Sequence, residues 1–228
     1  MMTLFCIVCT LVGESGETVR YLRPAGGKWQ TECTFTLRQE KTGATIESTT
    51  FRGQTRLTVR ARYDGAKRLI AAEVLLLGGA GKKVATVQAA DGKAKVLRAG
   101  QSAQEFDVPS HVIVTSAPDW TDTFLLCKRY DRKKQGKQSF AGLWVHPVQP
   151  SQRLTFTIER VGADAITHAG RKVALDRHTI RLRGNSAYVA WADASGRMIK
   201  LVPMPYKDGA TNWLIADGYE KSAAGLRP

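Results

Sequence analysis

The 228-residue sequence predicts a mainly β protein, an antiparallel meander with one helix lying across the sheet. Three observations predict it. Residues 153–202 alternate apolar and polar side chains in four runs divided by turn residues, the period-two pattern of strands with one buried face. Turn pairs recur at short intervals along the rest of the chain, as hairpins require and alternating β and α units do not. Helical spacing occurs convincingly in one segment, near 119–134.

The first segment concerns compartment. Met1 to Gly13 carries no charged side chain and contains LFCIVCTLVG, about as long as a signal-peptide core. Gly13 and Ser15 are small enough for the −3 and −1 positions of a cleavage site, so residues 1–15 read as a signal peptide and 16–228 as the mature domain. Periplasmic or secreted localisation in a bacterium follows. No Lys or Arg precedes the run, and a buried first strand is the competing reading. The run is too short to span a bilayer. Cys6 and Cys9 have CxxC spacing but no second pair and no nearby histidine, which argues against a metal site.

ETVRYLR and KWQTECTFTLRQE then read as strands, the second with Trp29, Cys33, Phe35 and Leu37 on its apolar face. After a turn at residues 41–44 come TIESTTFRG and QTRLTVRARY, where Leu57, Val59, Ala61 and Tyr63 alternate with Arg56, Thr58, Arg60 and Arg62. Asp64-Gly65 is a hairpin turn. RLIAAEVLLL is apolar on both faces, as a central strand would be. KVATVQAA and KAKVLRA flank a second Asp-Gly turn at Asp91-Gly92.

The helix opens at Pro118-Asp119-Trp120, with Asp119 as N-cap and Asp122 in the first turn. Trp120, Phe124 and Cys127 repeat at helical spacing, and Leu125 and Leu126 widen the stripe. Lys128, Arg129, Arg132, Lys133 and Lys134 crowd its end, with Gly136 as the stop. Such a stripe between two β halves most simply lies on the sheet. The four closing runs are RLTFTIERV, RKVALDRHTIRLR, SAYVAWAD and RMIKLV, with turns at Gly184-Asn185 and Ala194-Ser195-Gly196. In the first of them Leu154, Phe156 and Ile158 share a face. Cys33 and Cys127 both fall on apolar faces. They are either a disulfide pair or two buried thiols packing as small hydrophobes.

The order of elements, with LLCKRYD, LWVHPV and above all Trp191-Ala192-Asp193 through Gly196-Arg197-Met198-Ile199, resembles bacterial secreted domains of unknown function. Those domains are similar to the half-barrel of lipoprotein-localisation factors and the violacein-biosynthesis protein VioE. The resemblance spans roughly residues 17 to 205. It implies a strongly curved, open antiparallel sheet with the helix against its concave face, and a cavity for an apolar molecule. It brings no catalytic residues. Trp120, Phe124, Trp144, Phe156 and Trp191 are the expected ligand-facing side chains.

Chemical motifs are largely absent. LLLGGAGKKV departs from a phosphate loop at Leu76 and Lys83 and lies between strands. Ser195 sits in ASG rather than GxSxG. The four histidines are scattered; Asp176 and His178 share a strand face, which reads better as a sheet pair than as an acid/base dyad. No enzyme and no cofactor is expected. The excess of 34 basic over 20 acidic residues, net +14, predicts attraction to polyanions. Arg177, Arg181 and Arg183 on one strand face, with Lys128, Arg129, Lys133 and Lys134, form a candidate basic patch. A solvated surface, an anionic lipid or envelope polymer, and nucleic acid are its three readings. The expectation is an exported, non-enzymatic binding or carrier protein holding an apolar or lipid-like ligand in the sheet concavity. The alternatives are a nucleic-acid-binding β protein and an enzyme using the concavity.

Overall fold

A computed structural model describes residues 16–79, 81–117, 120–182, 187–207 and 211–228. Eight strands run in hairpin order: β1 (Gly16–Ala25), β2 (Lys28–Glu40), β3 (Gly43–Arg52), β4 (Thr55–Asp64), β5 (Leu69–Gly78), β6 (Gly81–Ala90), β7 (Lys93–Arg98) and β8 (Gln104–Asp107). Next come β9 (Ile113–Thr115) and helix α1 (Thr121–Arg129). The second half is β10 (Lys137–Trp144), β11 (Gln152–His168), β12 (Arg171–Arg181), β13 (Ala187–Ala192) and β14 (Met198–Met204), closed by β15 (Leu214–Ala216) and the short α2 (Glu220–Ala223).

The two halves form one sheet in the order β8-β7-β6-β5-β4-β3-β2-β1-β15-β14-β13-β12-β11-β10-β9. The late strand β15 joins them, pairing with β1 on one side and β14 on the other. Every ladder is antiparallel except β9 with β10. Turn chemistry follows the sequence: Gly26-Gly27, Asp91-Gly92 and Ala169-Gly170 each place two successive residues at positive φ, the twist that suits a tight hairpin. The Gly184-Asn185 turn, the Asp119 cap and residues 1–15 lie outside the described residues.

The sheet curls until its two ends touch through side chains. Arg98 on β7 donates from Nε to the His146 carbonyl (2.8 Å), from one amino group to Gln104 Oε1 (2.8 Å) and from the other to Ser151 Oγ (2.6 Å). Tyr63 on β4 donates its hydroxyl to the Val112 carbonyl at 3.3 Å. The main core lines the inner face and takes in Leu57, Val59, Phe156, Ile158 and the helix residues Phe124–Cys127. A second core covers the outer face where the halves meet: Leu22, Leu175, Trp191, Ile199 and Ile215 under the C-terminal segment. There Lys200, 1% exposed, donates its ammonium to the carbonyls of Ala223, Ala224 and Leu226 and lies 4.3 Å from the Trp213 ring.

Two expectations are corrected and one open alternative is decided. The helix ends at Arg129 rather than near 134, because Tyr130 turns to extended backbone. The Gln138 side chain brackets Asp131, accepting from its N–H and donating to its carbonyl, which holds the turned chain. β5 is central but one of its faces is uncovered, with Ile70 and Leu77 exposed. Cys33 and Cys127 are two buried thiols, not a disulfide. Both adjoin Tyr21, whose ring stacks on Phe124, so each packs as a small hydrophobe. Burial pushes the Cys127 thiol up to about 12, which leaves it unreactive at neutral pH.

Candidate amphiphilic cleft

Helix α1 fills the concavity. All of Thr121–Cys127 is buried, so sheet surrounds the helix on every side rather than meeting one stripe of it. Phe124 stacks on Tyr21 (centroids 4.5 Å apart) and meets Phe35 edge-on at 4.8 Å. Phe156 lies against Gly142, where a Cβ would stand 2.3 Å from the ring. These aromatics are packing, not the wall of an open cavity.

The five residues expected to face a ligand therefore do not form one site. Phe124 and Phe156 are inside the plug. Trp120 caps the helix and meets Tyr188 edge-on. Trp144 is buried beside His146. Trp191 lies on the opposite face of the sheet, donating from Nε1 to Asp164 Oδ2 at 2.8 Å. The period-two rule explains that separation: in β13 Ala190 and Ala192 point inward, so Val189 and Trp191 must point outward.

Open space lies instead at the C-terminal end of α1. A cleft of 730 Å³ is lined by the cations Lys67, Lys128, Arg129 and Lys134 together with Phe140, Ala141 and Pro109; Asp131 is its one acid. A neighbouring hollow of 550 Å³ shares Lys67, Lys128 and Arg129 and adds Leu37, Ile46 and Tyr63. Arg129 is held over the Tyr63 ring at 4.9 Å and donates to the His111 carbonyl at 2.6 Å. Lys128 pairs with Glu17 at 2.8 Å, and Lys134 is 3.9 Å from Asp131. Lys67 stands on the β4–β5 turn at positive φ. Asp64 builds that turn: its carboxylate accepts from the Ala66 and Arg68 N–H groups and from the Arg68 guanidinium. These bonds, the Arg68 N–H first, hold its carboxyl below the usual carboxylate range.

The candidate basic patch splits in two. Lys128, Arg129 and Lys134 border the cleft, with Lys133 exposed on the following turn. Arg177 and Arg181 share the outer face of β12, where Arg177 lies over Gly162 and 3.8 Å from Asp164. Arg183 lies outside the described residues. The Asp176–His178 pair is not a dyad. Asp176 is clamped by Arg160 at 2.7 Å and Arg132 at 2.8 Å. His178 Nδ1 has no hydrogen-bond partner. Burial pushes the imidazole down to about 4, outweighing the Asp176 charge that would raise it. Among the described residues no group of three or more His, Cys, Asp or Glu could hold a metal ion.

Sequence reasoning missed Lys67, His111 and Phe140. Lys67 was within reach, since Asp-Gly-Ala-Lys-Arg is a turn that displays its cations; His111 and Phe140 arrive only when the sheet curls.

No protein-family model and no curated protein matches the chain. Among solved structures, a β-barrel-like protein of the domain of unknown function DUF1849 from Brucella abortus is similar. It has a TM-score of 0.52 at 9% identity, over 89% of this chain and 94% of that one. A DUF1089 family protein from Pseudomonas aeruginosa aligns at TM-score 0.48 and 16% identity, over 81% of this chain and 96% of that one. At such identities the likeness to the Brucella protein speaks for the fold alone: this chain is a curved, barrel-like antiparallel β domain.

Proposed function

We propose that the protein is a non-enzymatic binding or carrier module of the bacterial cell envelope. Its ligand would be an amphiphile, anionic at one end and apolar at the other, held in the cleft at the C-terminal end of α1. The observation that carries this reading is the cleft itself, a 730 Å³ space whose lining combines four cations and a single acid with the apolar Phe140 and Ala141. That volume is ordinary for a small-molecule site. The sequence resemblance to lipoprotein-localisation half-barrels supports an apolar portion of the ligand, and the N-terminal apolar run supports export. Because α1 fills the concavity, the proposed ligand is assigned to the cleft at the mouth rather than to the sheet's interior.

Native mass spectrometry of the protein from its own host should reveal a retained amphiphile. Titration with a fluorescent fatty acid should show Lys67→Glu and Lys134→Glu each weakening binding about tenfold, roughly 1.4 kcal/mol. Binding unchanged in both variants, or a nucleic acid as the retained molecule, would sink the reading.

A further inference from the structure

The end of the barrel opposite the cleft has a different character. Hairpin tips alternate between the two ends of an antiparallel sheet. Among strands β1–β8, those on the cleft side each carry an acid: Glu40, Asp64 and Asp91. In the same strands, the tips at the far end, residues 26–31, 51–58, 75–79 and 81–84, carry Lys28, Arg52, Arg56, Lys82 and Lys83 and no Asp or Glu. The acid set behind them, Glu32, is 2% exposed and already spanned by Arg23 (2.7 Å) and Arg52 (2.9 Å). Among the described residues Lys28, Arg56, Lys82 and Lys83 form no ion pair, so this rim is an uncompensated positive field.

The same rim exposes apolar side chains. Ladder register sets Lys82, Leu77, Arg56 and Phe51 side by side across four strands on the outer face. The Arg56 guanidinium lies 5.3 Å from the Phe51 ring. Leu77 is 36% exposed, and Leu75 and Val84 are half-buried in the next row. Trp29, 40% exposed beside the Gly26-Gly27 turn, is braced edge-on by Trp213 at 5.4 Å. This uncovered face is the one that makes β5 apolar on both sides.

We infer that this rim is a membrane-contact surface for a bilayer with anionic headgroups. Cations alternating with aliphatic and aromatic groups fit an interface that is charged at its surface and apolar just beneath. The cations would meet headgroup phosphates while Trp29 and Leu77 enter the interfacial layer. A second copy of the chain is disfavoured as occupant, because a two-fold contact would bring five like charges on each copy together. Nucleic acid would satisfy the cations but leave Leu77 and Val84 with no apolar phase. Docked this way, the module would present its cleft away from the membrane. The inference rests on rim residues alone, independent of the cleft reading.

Co-sedimentation of the full chain with vesicles tests it, comparing phosphatidylcholine containing phosphatidylglycerol with pure phosphatidylcholine. Binding should require the anionic lipid, and Lys28→Gln and Lys82→Gln should each weaken it about fivefold. Trp29→Ser with Leu77→Ser should remove the portion that survives high salt. Should that double variant unfold, quenching by brominated lipid still reads the contact, because Trp29→Phe should lose the quenched fraction. Lys67→Gln and Lys134→Gln should leave vesicle binding intact while weakening fatty-acid binding, which separates the two proposals. Three results would overturn the inference: no preference for anionic vesicles, binding unchanged in the rim variants, or rim-dependent binding to DNA or RNA in place of vesicles.

Discussion

His178 sits 2% exposed beside the Tyr130 ring, with Asp176 and the arginines Arg132 and Arg160 next to it. Its folded value of about 4 lies below the usual 6.5, so the unfolded chain takes up this proton first as pH falls. Stability from this group is present above about pH 6.5 and is lost on going down towards pH 4, by up to roughly 3 kcal/mol. Denaturant titrations from pH 7 to 4 should show that loss, and His178→Phe should flatten it relative to the carboxylate background. An equal slope in the variant would mean the imidazole does not titrate in this window. Gly196 explains the best local match of the sequence motif. It sits at φ 75°, and a Cβ there would meet the Cys127 carbonyl oxygen at 2.7 Å, so this glycine lets the β13–β14 turn close onto the end of the helix. Asp193 completes the turn by accepting from the Ser195 and Arg197 N–H groups.

At the scale of elements, α1 is the core of the barrel rather than a lid on it. Its nine residues are too few to persist alone in water, so tertiary packing must hold it. Phe124→Ala removes a ring that contacts Tyr21 and Phe35 and should cost roughly 3–5 kcal/mol in denaturant unfolding. A loss well under about 1 kcal/mol would make the helix peripheral. Its periodicity was legible in the sequence, but its end was not. The run of cations after Lys128 favours a helix C-terminus without saying where the chain leaves it. Tyr130 leaves because its hydroxyl can donate to the Gly136 carbonyl, a contact set by the following turn.

Across the whole molecule, the sheet ends are joined by side-chain hydrogen bonds centred on Arg98, with Ser151 N–H to Gln104 and Arg153 to the Asp107 carbonyl beside it, and not by a continuous ladder among the described residues. Arg98 is 7% exposed, and the partners of its guanidinium are neutral: a carbonyl, an amide and a hydroxyl. Burial lowers its pKa, but an arginine stays charged. Arg98→Met should therefore loosen the junction of β7, β8 and the β10–β11 connection, at a cost of roughly 3 kcal/mol. Hydrogen exchange should accelerate there first, whereas exchange that rises uniformly would mean the ends close without it. The net charge of +14 also acts at this scale. Composition predicted a polyanion partner, yet only folding sorts the cations into an acid-free rim, a mixed cleft and the ion-paired Arg177.

The sequence by itself determined most strands, most of their inward sets and most turns, because each depends on neighbours within a few residues. Alternation put Leu57, Val59, Phe156 and Ile158 inside, and the Asp91-Gly92 pair turned the chain. It also placed Cys33 and Cys127 on buried faces, without deciding between thiols and a bridge. Tertiary structure decided the rest. β9 and β15 are three residues each, too short to carry a period, and they find partners only through long-range pairing. Whether the concavity is open and where the cleft lies follow from how the sheet curls around α1. That curl sums small twists over fifteen strands and the packing of one buried helix, and no local run of residues encodes such a sum.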